Sequence, residues 1–161
     1  MNKENKNFAE RALKQLLIGS QLDGFRFGIG PGAVRVCFSH YSEQDPDELW
    51  LTIEVRKIAN VINDERLTTM SKETLEEIND EESFQLLLRN RREKVKDVWL
   101  GDESPHLYIS FESGKVLYVN GHDENYECWQ LGDLHGYGDG DWLIVAVPGN
   151  EIATWSPEEF K

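Results

Sequence analysis

Apolar residues recur with two periods along this chain, near 3.6 at the start and 2 over most of the remainder. Phe8, Ala12, Leu13, Leu16 and Leu17 fall on one side of a helical wheel. They predict an amphipathic helix over residues 7–17, with Gly19 as its stop signal. Phe25 and Phe27 then alternate with Arg26, and Val34, Val36 and Phe38 with Arg35, Cys37 and Ser39. Leu49, Leu51, Ile53 and Val55 alternate with Trp50, Thr52, Glu54 and Arg56. These are the signatures of half-buried strands, and the second and third predict a hairpin. The run Gly28-Ile29-Gly30-Pro31-Gly32 reads as a loop; without the P-loop lysine or a following helix it is no phosphate cradle.

Residues 64–82 break this rhythm, with eight acids against two bases. Ser71 is placed to cap a short helix through Ile78. From Asp80, Phe84, Leu87, Leu88 and Val95 predict a second helical stripe, with Arg89, Arg91, Arg92, Lys94 and Lys96 crowding its C-terminal half. Acid first and base last complements the helix macrodipole.

Alternation returns after Gly101. Strands are predicted at 107–112, 116–119, 126–131, 142–147 and 152–155, broken by Ser113-Gly114, a Gly/Asp-rich loop over 132–141, and Pro148-Gly149-Asn150. The first half is weakly echoed here: Val34-x-Val36-x-Phe38 resembles Leu107-x-Ile109-x-Phe111, each preceded by an aromatic–apolar segment. The expected fold is therefore α+β, an antiparallel sheet of seven to nine strands or two β-meanders with an N-terminal helix and a helical insert. One domain over 1–161 is expected, divided into the helix (1–19), a first meander (20–58), the insert (59–97) and a second meander (98–161).

Composition changes the picture in one respect. The chain holds 17 Lys and Arg against 30 Asp and Glu, a formal net charge of −13. That argues against a broad nucleic-acid-binding face and against docking on anionic lipid. No apolar run approaches the roughly 18 residues that span a bilayer, and the first residues lack the apolar stretch of a signal peptide. A cytoplasmic location follows as the expectation, with Cys37 and Cys128 as free thiols.

The acid is unevenly placed. Residues 116–160 contain no Lys or Arg but nine acids, in company with Tyr126, Trp129, Tyr137, Trp142 and Trp155. An acidic surface with aromatic anchors suits a basic protein partner, because aromatic rings desolvate well and the field speeds encounter. The predicted contact residues are Asp123, Glu124, Tyr126, Trp129, Asp133, His135, Tyr137, Asp139, Asp141 and Trp142. A second copy of the chain, offering its basic 89–96 stretch, is another partner of that kind. Whether Trp129, Trp142 and Trp155 face solvent or core decides between a docking surface and a plain interior.

Two rival readings use the same segment. Asp133-x-His135-x-x-x-Asp139-x-Asp141 offers oxygen and nitrogen ligands at short spacing for a cation such as Ca²⁺, although it lacks the EF-hand frame. His122 or His135 beside a carboxylate could act as a general base in a hydrolase, although no nucleophile elbow accompanies either. The leading expectation carries no catalytic residue, cofactor or metal.

The closing segment, Trp129-Gln130-Leu131 followed by Trp142 to Val147, the Pro148-Gly149 turn and Glu151-Ile152-Ala153-Thr154-Trp155, resembles small uncharacterised bacterial β-rich domains. Similar acidic domains occur among immunity proteins of polymorphic-toxin systems. The resemblance covers some 30 residues and brings no catalytic residue with it; Asn150 stands where a second glycine is expected. The acid-rich, base-free 116–160 segment points to an immunity-type inhibitor of a basic partner.

Overall fold

A computed structural model describes residues 1–28, 30, 33–41, 48–54, 58–61 and 79–161. The fold is α+β, with two α-helices and two antiparallel sheets among the described residues. Helix α1 spans Lys3–Leu17, and Asn2 caps it by accepting from the Glu4 and Asn5 amides. Its apolar stripe, Ala9, Ala12, Leu13, Leu16 and Leu17, is fully buried, and the helix packs on two sheet edges described below. Helix α2 spans Asp80–Arg89 and opens with a capping box between Asn79 and Glu82.

Ten strands are seen among the described residues: β1 (Gln21–Phe27), β2 (Val34–Ser39), β3 (Glu48–Ile53), β4 (Ile58–Val61), β5 (Val95–Leu100), β6 (Leu107–Phe111), β7 (Val116–Val119), β8 (Trp129–Asp133), β9 (Leu143–Val147) and β10 (Glu151–Trp155). The six-stranded sheet has the order β1-β2-β3-β8-β9-β10, and the four-stranded sheet β4-β7-β6-β5. Helix α1 lies on β5 and β10. One hydrophobic cluster takes residues from α1, α2 and both sheets, with Phe38, Phe111 and Trp129 among its largest members.

Two boundaries differ from the sequence pattern. The basic residues after Arg89 do not continue a helix. Asn90 closes α2, Arg92 turns with φ 64°, and Val95 opens a strand, so the stripe through Val95 was accidental spacing. Leu88 is exposed for the same reason. The predicted insert over 59–97 likewise gives its ends to strands, because β4 pairs with β7 and β5 with β6. The helix expected over 71–78 lies outside the described residues.

The faint echo between the halves is a structural repeat. The pairs Leu22↔Phe38, Gly24↔Cys37, Phe25↔Val36 and Phe27↔Val34 between β1 and β2 recur between β5 and β6 as Val95↔Phe111, Asp97↔Ser110, Val98↔Ile109 and Leu100↔Leu107. Every residue sits 73 positions after its counterpart, and the register shift falls at the same place in both pairs. The connecting loops match too, closed by Gly28 N–H to Ala33 O and Gly101 N–H to His106 O, both 2.9 Å. A side chain on Gly101 would meet Ser104 O at 2.6 Å, which explains glycine at that corner.

The halves join where the starts of β1 and β5 meet. Gly19 N–H donates to Val95 O and Arg92 N–H to Leu22 O; Val95 N–H donates to Ser20 O and Leu22 N–H to Glu93 O. This is a local two-fold arrangement, with Gln21 opposite Lys94 at its centre. Each half then sends its fourth strand to the other half's sheet: β4 pairs with β7, and β8 with β3. The expectation was one antiparallel sheet or two β-meanders; the exchange weaves two meanders into one structure. No helix among the described residues is long and apolar enough to cross a membrane.

Candidate functional site

Strand alternation sorts the predicted contact residues before any partner is considered. On β8, Trp129 and Leu131 point into the core and Gln130 points out. Trp129 is fully buried, and its indole N–H donates to Pro105 O at 2.9 Å. It is a core residue, which corrects its expected place on a docking surface. Trp142 is half-buried, its ring edge-on to Phe160 at 4.8 Å between centroids, so it too serves the interior. Asp133 is buried. Its carboxylate accepts from the Asp141 amide at 3.1 Å and the Trp142 amide at 3.0 Å, pinning both ends of the loop that follows.

The remaining residues flank β8 in the chain. Asp123, Glu124 and Tyr126 precede β8, whereas His135, Tyr137, Asp139 and Asp141 follow it. Asp123 accepts from the Asn125 and Tyr126 amides at 2.8 and 3.0 Å, a turn that leaves Tyr126 exposed beside the β9–β10 corner.

The loop 134–141 folds back over the outer face of the six-stranded sheet. It crosses above Gly132, where a Cβ would stand 3.0 Å from Trp142 O and 3.2 Å from Gly136. Gly136, at φ 83°, rests on Trp50, which a Cβ would approach to 2.6 Å. Gln130 Nε2 donates to Gly136 O at 3.4 Å, and the Arg35 guanidinium donates to His135 O. Asp139 is hydrogen-bonded to the His135 ring, which holds its carboxyl below the usual range. Leu134 projects from this loop, 57% exposed, with φ 51°.

Under and beside the loop lies a set of residues that composition alone did not single out. Trp50 is held within reach of two guanidinium groups, Arg26 at 4.3 Å and Arg35 at 4.8 Å from its ring centroid. Arg35 also sits 4.5 Å from the Tyr137 ring. Arg35 is 6% exposed, and burial lowers its pKa from the ordinary arginine value. Arg26, Arg35, Thr52, Gln130, Val145 and Ala153 form one row across five strand pairings; Cys37, Trp50, Gly132, Leu143 and Trp155 form the next. Trp155 is 56% exposed at the loop's end of the sheet. The signal was present in the outward positions of β1, β2 and β3, where Arg26, Arg35 and Trp50 interrupt apolar residues.

Among the described residues, neither His122 nor His135 is hydrogen-bonded to a serine, threonine or cysteine side chain. His122 Nδ1 is bonded to Asn150 Oδ1, and Ser104 Oγ donates to the same oxygen at 2.9 Å. His135 lies on the open loop with Asp139. Within the 133–141 loop, two of the carboxylates a cation would use are engaged, Asp133 by amides and Asp139 by His135. No group of three or more metal-ligating side chains occurs among the described residues. Burial pushes both Cys37 and Cys128 thiols up to about 12. At pH 8 only ~10⁻⁴ of each is thiolate, so a disulfide reagent is expected to label neither in the native protein and both in denaturant. Rapid native labelling would contradict their burial.

Asn150 takes the place of the expected glycine because it tolerates its left-handed φ of 63°. Neither a protein-family model, nor a curated protein, nor a solved structure matches the chain.

Proposed function

We propose that this protein is a non-catalytic protein-binding domain, of the kind an immunity-type inhibitor requires. It would occlude a basic partner with the 134–141 loop and the sheet face beneath it. The observation that carries this reading is Leu134. It is i+1 of the turn closed by Gly136 N–H to Asp133 O at 2.8 Å, a position with positive φ that Gly, Asn and Asp dominate. A leucine there costs roughly 1–2 kcal/mol in backbone strain, and its side chain covers no core. Strain that presents an apolar group to solvent has a use at an interface. Tyr137 and Trp155 add exposed aromatic surface, and Asp139 and Asp141 supply the charge.

The basic residues Arg91, Arg92, Lys94 and Lys96 are exposed on the turn and strand after α2, so a second copy remains one form the basic partner can take.

Leu134→Gly is the discriminating variant. It is expected to stabilise the fold, by up to about 1 kcal/mol, while weakening partner retention at least tenfold. The double charge reversal Asp139→Lys with Asp141→Lys is expected to abolish retention at low salt, most of it through slower association. Pull-down with basic proteins at low and moderate salt reads both. Retention indifferent to both variants sinks the reading.

A further inference from the structure

The outer face of the six-stranded sheet holds a charge arrangement that its own fold does not need. Arg26 and Arg35 stand directly opposite each other on β1 and β2, a like-charge pairing that weakens a sheet. Neither has a carboxylate within ion-pair distance among the described residues, in a chain with thirteen excess negative charges. Their counterparts in the second half are Trp99 and Tyr108, which stack at 5.4 Å between centroids and require no counter-ion. The shared backbone therefore does not dictate arginine at these positions.

Beside them, two buried polar atoms have no hydrogen-bond partner among the described residues: Arg35 Nε and, directly across the β2–β3 pairing, Thr52 Oγ1. Thr52 is fully buried. An orphaned guanidinium N–H next to an orphaned hydroxyl is costly in a native structure. The Trp50 and Tyr137 rings, 4.8 and 4.5 Å from the guanidinium carbon, compensate the charge in part.

We propose that Arg26 and Arg35, gathered about Trp50 with Thr52 behind them, form an oxyanion site that accepts a carboxylate from the docking partner. A planar carboxylate matches the fork of the exposed Arg26 guanidinium, while Arg35, held to His135 O beneath the loop, adds its charge from behind. Arg35 is bonded to His135 O and the His135 ring to Asp139, so one acid already lies on the same loop and a singly charged carboxylate is favoured over a doubly charged phosphate. The partner's surface is thus basic at its rim, to meet Asp139 and Asp141, with one Asp or Glu side chain near its centre. Such mixed polarity fixes register and rejects partners that are merely basic. The choice of a partner side chain as the source rests on the docking reading; the anion site itself does not.

The test uses the full chain and sodium acetate as the probe, against sodium chloride and sodium phosphate at matched ionic strength. The Arg35 Nε–Hε signal is followed by NMR in the parent protein, in Arg26→Ala and in Thr52→Val. Arg26 is exposed, so its removal leaves the core intact. A saturable acetate shift, about tenfold weaker in Arg26→Ala, supports the site. A drift that never saturates, an acetate shift unchanged in Arg26→Ala, or saturation by phosphate alone overturns it. Acetate saturation with no basic protein retained would leave the anion site standing and remove the docking reading. Retention that depends on Leu134 without acetate saturation would do the reverse.

Discussion

Trp129→Ala is expected to cost about 3–5 kcal/mol, enough to lower the melting temperature by roughly 10 °C or more in a chain of this length. The indole is fully buried where the two sheets face each other, and its N–H is bonded to Pro105 O. Removal leaves a large cavity and an unpartnered carbonyl in the loop that ends the four-stranded sheet. Trp155→Ala is the control. Its ring is 56% exposed, so the change is expected to stay within about 0.5 kcal/mol while reducing partner retention. Paired thermal melts read both. If the two variants melt together, the inward assignment of β8 is wrong, and with it the separation of core tryptophan from surface tryptophan.

Asp133→Ala is expected to release the 134–141 loop. Its buried carboxylate is the acceptor for the Asp141 and Trp142 amides, and no other acceptor for them is seen among the described residues. Two charge-assisted hydrogen bonds are lost together, which corresponds to about 2–4 kcal/mol. Asp133→Asn keeps one carbonyl oxygen but turns a donor toward an amide, so it is expected to lie between parent and alanine variant. Hydrogen exchange at the Asp141 and Trp142 amides gives the direct reading, with protection lost in Asp133→Ala and the β2–β3 ladder unchanged. Protected amides in the alanine variant would show that the loop is held by Gln130, Arg35 and Tyr137 instead. Partner retention should fall with protection, because Leu134 and Tyr137 are presented by the same loop.

The interleaving of the two halves explains why neither half reads as a unit. Within each half, helix, three-stranded meander and fourth strand follow in the same order, but that fourth strand completes the opposite sheet. The core is therefore made from contacts distant in sequence, β3 with β8 and β4 with β7. Such pairings are closed late and slowly relative to local hairpins.

The inward positions were legible in the chain from the start. Val34, Val36 and Phe38, like Leu107, Ile109 and Phe111, alternate with period 2 because one face of each strand is buried. The helical stripe of α1 was equally plain, and together these determine an α+β protein with antiparallel pairing. Alternation is blind to partner choice, however. It says that Leu131 is buried but not that it lies beside Leu51 in a different half of the chain. The outward positions carry even less local information. Arg35 next to Val36 reads as one more exposed base, and only the closure of the 134–141 loop over Trp50 leaves it 6% exposed. The acids were likewise visible by count, yet the tertiary structure gave them different tasks: Asp133 became a buried cap, Asp123 closed the turn before β8, and Asp139 joined the His135 ring on the loop after it. Composition and periodicity determined which residues avoid water; the pairing of distant strands decided which of the others meet.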